Sequence, residues 1–89
     1  MVTAIILMNV QRQKINQIAE ELADMEQITE VFSVSGQYDL IAIARVPRND
    51  DLAEVVTRRL LTIDGLEKTN TLLAFKAYSR HDLEAMFSV

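Results

Sequence analysis

The stretch VFSVSGQYDLIAIARVP, residues 31–47, reads as two β-strands folded back on one another. The first runs from Thr29 to Ser35, with Phe32 and Val34 on one face, until Gly36 interrupts it within Ser35-Gly36-Gln37. Glycine adopts a positive φ without the penalty a Cβ imposes, so a tight hairpin is expected there. The run that follows, Tyr38 to Val46, is apolar at both parities: Leu40, Ala42 and Ala44 alternate with Ile41 and Ile43. Pro47 closes it, because proline lacks the N–H that a ladder needs and biases Val46 toward extended geometry. A strand apolar on both faces has to be covered on both.

Upstream, Val2 to Val10 is a second two-sided apolar run, with Val2, Ala4, Ile6 and Met8 against Ile5 and Leu7. Between the two, Ile15, Ile18, Ala19 and Leu22 recur at helical spacing, with Lys14, Gln17, Glu20, Glu21 and Asp24 on the polar side. Downstream, Asn49-Asp50-Asp51 supplies N-cap candidates, and Glu54 stands three residues after Asp51 as in a capping box. Leu52, Val55, Val56, Leu60 and Ile63 mark the apolar face of this second helix, and Asp64-Gly65 ends it. Thr69 to Tyr78 is predicted as the last strand. A short amphipathic tail follows, with Leu83, Met86 and Phe87 on one side.

The order β-α-β-β-α-β is the ferredoxin-like α+β arrangement, a four-stranded antiparallel sheet. Right-handed crossovers put both helices on one face of it. The domain is predicted over residues 1–78 and the tail over residues 79–89. The other sheet face would then be an exposed apolar patch that soluble monomers rarely carry. Dimerisation through that face is the expected remedy.

Composition narrows the function classes. Eighty-nine residues fit one domain, and the absence of cysteine excludes disulfides, thiolate metal sites and a thiol nucleophile. A formal net charge of −4 opposes binding to phosphate backbones, and Val2 to Val10 lacks the aromatics that RNA-binding sheets of this topology stack on bases. The opening residues, MVTAIILMNV, have no basic flank and are too short to cross a bilayer, so a cytoplasmic, membrane-free protein is expected.

Catalytic sets are scarce. His81, the sole histidine, sits beside Asp82 in the tail, and no Ser-His-Asp, Cys-His or two-histidine metal set can be assembled. Asn49-Asp50-Asp51 lacks the glycine and terminal glutamate of a calcium loop. Gly36 and Gly65, the only glycines, fall at turns, which excludes a phosphate-cradling loop. No cofactor or metal is expected. What remains is Ser35-Gly36-Gln37-Tyr38-Asp39. Asp39 enters an apolar strand and must be paired, hydrogen-bonded or at an edge. It either steadies the turn through a local side-chain bond or receives a ligand ammonium, and the residues alone leave these readings level. Thr69 and Thr71 either offer hydroxyls to the same ligand or simply suit a strand.

The segment Val34-Ser35-Gly36-Gln37-Tyr38-Asp39-Leu40-Ile41 resembles the G-x-[YF]-D-[LY] hairpin of the Lrp/AsnC (feast/famine) transcriptional regulators. Ile63-Asp64-Gly65-Leu66-Glu67-Lys68-Thr69-Asn70-Thr71 resembles their passage into the last strand, with leucine at position 66 where valine is common. The resemblance covers residues 2–78 and implies their effector-binding and oligomerisation (RAM) domain. It implies sheet-to-sheet dimers assembled further, into an octamer or decamer, and an amino acid effector bound between dimers. Carried over by motif, the ligand-binding candidates are Gly36, Tyr38, Asp39, Thr69 and Thr71, with Ser35, Gln37 and Asn70 as neighbours. Asp39 would take the ligand ammonium, while backbone amides and threonine hydroxyls hold its carboxylate. Family regulators carry an N-terminal helix-turn-helix domain, whereas here the first residues already open a strand. The resemblance therefore implies a stand-alone effector domain that does not read DNA. It would act by co-assembling with a full-length Lrp/AsnC regulator, by buffering an amino acid or by contacting an enzyme. Two rivals remain: a small dimeric α/β-barrel enzyme, against which the apolar strand faces argue, and a pure oligomerisation scaffold.

Overall fold

The two apolar runs lie side by side. In the computed structural model, which describes residues 1–78 and Arg80, β1 (Val2–Val10) and β3 (Leu40–Val46) pair antiparallel. Ala4 lies opposite Ala44, Ile6 opposite Ala42 and Met8 opposite Leu40. All six side chains are buried on one face. β2 (Ile28–Ser33) flanks β3 and β4 (Leu66–Ala74) flanks β1, giving the order β2-β3-β1-β4 with every pair antiparallel.

One layer of helices covers that face. A 3-10 turn, Arg12–Lys14, leads into α1 (Ile15–Ala23), which buries Ile18 and Leu22. α2 (Asn49–Glu54) runs on as a π-helical stretch, Val55–Arg59, and a 3-10 turn, Leu60–Thr62. Val55 and Leu60 join Ile18, Leu22 and the inner residues of β1 and β3 in one core. Each fully buried Ile, Leu or Val contributes about 1.5–3 kcal/mol relative to exposure. The apolar positions read at helical spacing are thus the ones that pack, and both helices share one face as expected.

Four boundaries differ from the sequence expectation. The β2–β3 connection is wider than a tight hairpin, running from Val34 to Asp39 and closed by the Val34 N–H donating to Asp39 O (3.1 Å). A two-residue type I′ turn needs two consecutive positive φ values. Gly36 supplies one (+111°), and no non-glycine residue of the described chain adopts another. β4 starts earlier than Thr69, because Leu66 still pairs with Val10 across a bulge at Asn9/Val10. It ends at Ala74, opposite Thr3, one residue short of the start of β1 at Val2. Residues 75–78 continue past the sheet, leaving Phe75 and Tyr78 exposed.

The second helix begins one step earlier than the Asn49-Asp50-Asp51 reading placed it. Arg48 is the N-cap residue, and its N–H donates to Asp51 Oδ2 (3.2 Å) from within the first turn. Glu54 is left to pair with Arg58 (3.5 Å) rather than to complete a capping box. Gly65 exits with φ +98°, as a helix-ending glycine should. The tail over residues 79–89, with His81, Leu83, Met86 and Phe87, lies outside the described residues apart from Arg80.

Candidate functional site at the end of β1

The β2–β3 loop is tied to the last residues of β1 by three hydrogen bonds. The Asp39 N–H donates to Met8 O (2.9 Å), and the Val10 N–H donates to Asp39 Oδ2 (2.9 Å). Asn9 Nδ2 donates to Gln37 O (2.8 Å). Asp39 thereby satisfies a backbone donor at the point where the bulge takes Val10 off the regular ladder. That bond spans 29 residues of chain, so the carboxylate steadies a long-range junction rather than its own turn. A carboxylate offers about four acceptor positions, and one bond to Val10 leaves most of them for a ligand.

Asp39 also forms part of the wall of an open polar cleft of about 560 Å³, lined with it by Val10, Gln11, Arg12, Gln13 and Glu67. The cleft is positioned by the backbone. Gln11 N–H donates to Gly65 O (2.8 Å), which ties the β1–α1 connection to the turn before β4 and holds Glu67 opposite. Gly65 has to be glycine for a second reason besides its φ. A Cβ there would stand 2.7 Å from Lys14 Cδ and 3.2 Å from Ile18 Cδ1. Behind the junction, Lys14 Nζ donates to Asp64 Oδ2. That bond and the lysine charge hold the Asp64 carboxyl below its ordinary range.

The motif-derived residues are divided by the fold. Ser35, Gly36, Gln37, Tyr38 and Asp39 lie in the β2–β3 loop. Asn70 Nδ2 reaches Tyr38 Oη at 3.5 Å, so the tyrosine spans toward β4. Thr69 and Thr71 sit opposite Met8 and Ile6, on the helix side of β4. Thr69 lines a separate small cleft of about 110 Å³ with Leu60, Leu61, Ile63, Leu66, Glu67 and Lys68. Within one chain, then, Thr69 and Thr71 do not meet Asp39, and Glu67 is the residue that edges both clefts. Gln11, Arg12, Gln13 and Glu67 were not singled out from sequence. The topology alone offered a pointer to the first three, since in a β-α-β-β unit the residues leaving β1 emerge at the end where the β2–β3 loop returns.

Among the described residues no group of three or more His, Cys, Asp or Glu is arranged to hold a metal ion, and no helix is long and apolar enough to cross a membrane.

The family model of the Lrp/AsnC ligand binding domain matches residues 3–83. An HTH-type transcriptional regulator of Pyrococcus horikoshii is 42% identical over 69 residues, covering 78% of this chain and 46% of the relative. One from Pyrococcus furiosus is 39% identical over 74 residues, covering 83% of this chain and 49% of the relative. The chain therefore spans about half the length of these curated relatives. A crystal structure of TTHA0845 from Thermus thermophilus superposes with a TM-score of 0.83 at 41% identity, covering 90% of this chain and all of that one (100%). In fold alone, a transcriptional regulator from Neisseria meningitidis solved as an L-Met complex is similar, with a TM-score of 0.80 at 15% identity, over 89% of this chain and 53% of that one.

Proposed function

This chain belongs to the Lrp/AsnC ligand-binding domain family, and from that premise we propose that it is an oligomeric regulatory module that binds a free amino acid. The observation that carries the reading is Asp39, half-buried at the end of β1, held by the Val10 N–H and walling a polar cleft. A carboxylate fixed in this way is preorganised to receive a ligand ammonium through a charge-assisted hydrogen bond. Gly36 and Tyr38 shape the loop around it, with Ser35, Gln37 and Asn70 as its neighbours. The L-Met complex of a fold neighbour supports an amino acid as the ligand class.

The assembly reading follows from the sheet. Ile5, Leu7, Ile41 and Ile43 line the face away from the helices, together with Phe32 (49% exposed) and Leu72 (45% exposed). A second copy presents the same face, and a two-fold pairing buries both at once. Further association of such dimers would let Thr69 and Thr71 of one copy reach the Asp39 cleft of another, reuniting residues that a single chain keeps apart. Regulation then passes through a partner, either a full-length regulator of the same family or an enzyme.

Thermal unfolding against each of the twenty amino acids at millimolar concentration tests this. A ligand at about 100 times its Kd adds roughly 2.7 kcal/mol, enough to move Tm by several degrees. A selective shift is expected for one or a few amino acids. Asp39→Asn, which keeps an acceptor for Val10, should lose that shift while its unliganded Tm stays within a few degrees of wild type. No shift with any amino acid would overturn the reading.

A further inference from the structure

We propose that Arg12 is the carboxylate anchor of the amino-acid site, so that the cleft reads both ends of a zwitterion. The inference rests on the amino-acid reading above and adds a residue that the family motifs do not supply. Of the six residues lining the Asp39 cleft, two are anionic, Asp39 and Glu67, and one is cationic, Arg12. Among the described residues Arg12 enters no ion pair, whereas its neighbour Lys14 is engaged by Asp64. Arg12 is exposed, so its guanidinium is free to turn toward a ligand in the cleft.

The charge pattern selects a ligand class. A bare anion would meet two carboxylates, and a simple amine would leave the guanidinium unused. An α-amino acid uses all three groups: its ammonium, with three donors, bonds Asp39 and Glu67, and its carboxylate takes the planar fork of Arg12. The side-chain amides of Gln11 and Gln13 flank the same wall and offer further donors. Arg12 is held in place because the 3-10 turn it begins follows directly on Gln11, whose N–H is bonded to Gly65 O at 2.8 Å. This assigns the carboxylate a partner inside the chain, where Thr69 and Thr71 do not reach.

The test compares binding of the amino acid that stabilises wild type most with binding of its carboxamide, in wild type, Arg12→Gln and Arg12→Lys. Wild type should prefer the acid by roughly 10- to 100-fold, the range expected of charge-assisted hydrogen bonds. Arg12→Gln should lose that preference, binding acid and carboxamide alike, and Arg12→Lys should recover part of it. Unliganded Tm should be unchanged in both, since the side chain is exposed. If Arg12→Gln binds the acid as tightly as wild type while Asp39→Asn does not bind, the Arg12 assignment falls and the amino-acid reading stands. If wild type binds no amino acid, both fall together.

Discussion

Two carboxylates near the end of β1 act differently because their partners differ. Asp39 accepts from a backbone N–H and faces the cleft, whereas Asp64 accepts from Lys14 and faces water. Lys14 holds the Asp64 carboxyl below its ordinary range, so the folded chain keeps this group ionised more readily than the unfolded chain does. Its stabilising contribution is therefore complete above the unfolded carboxylate range, near about pH 4, and is lost as pH falls through the lowered folded value. Asp64→Asn should lower the urea midpoint modestly at pH 7, and the deficit should fade on acidification. Salt should shrink it as well, because the pair is exposed. Asp39 stood out in sequence because an acid opening an apolar strand demands an explanation. Arg12 gave no such sign, since an arginine after a strand in a polar stretch looks like any solvated charge.

At the scale of elements, the apolar periodicities located the four strands and the two main helices of the described residues, while the 3-10 turn at Arg12–Lys14 and the element ends escaped. Strand ends depend on which residues of two distant segments actually pair, as at Ala74 opposite Thr3 and Leu66 opposite Val10, and no local residue encodes that. The start of α2 escaped for a related reason: Asp51 can cap from the first position or brace from inside the first turn, and only geometry chooses. The two glycines were legible as turns, but their constraints differ. Gly36 has open space around a would-be Cβ, whereas Gly65 meets Lys14 and Ile18. Both have positive φ, so alanine costs about 1–2 kcal/mol at either from backbone strain. Gly65→Ala should cost more than Gly36→Ala in urea unfolding, because Ile18 is buried and must shift as well.

For the whole molecule, the two-sided apolar strands read from sequence leave one sheet face without a helix layer among the described residues. The sequence carried that conclusion further than it carried the site, because face alternation is a property of single residues whereas a cleft joins distant ones. Ile43 stands in the middle of the open face, opposite Ile5 and Glu30. Ile43→Asp should leave the helix-covered core intact and yield a folded monomer by sedimentation velocity, whereas wild type is expected to sediment as a larger species. An unchanged assembly would place the contact elsewhere.

Native mass measurement of the wild-type chain, alone and mixed with the twenty amino acids, is the most direct experiment, since it reads assembly and ligand together. An even-numbered assembly carrying the added mass of one selected amino acid per site is the expected result. A bare monomer at every protein concentration, with no amino acid retained, would contradict the reading of this chain as an oligomeric amino-acid-binding module.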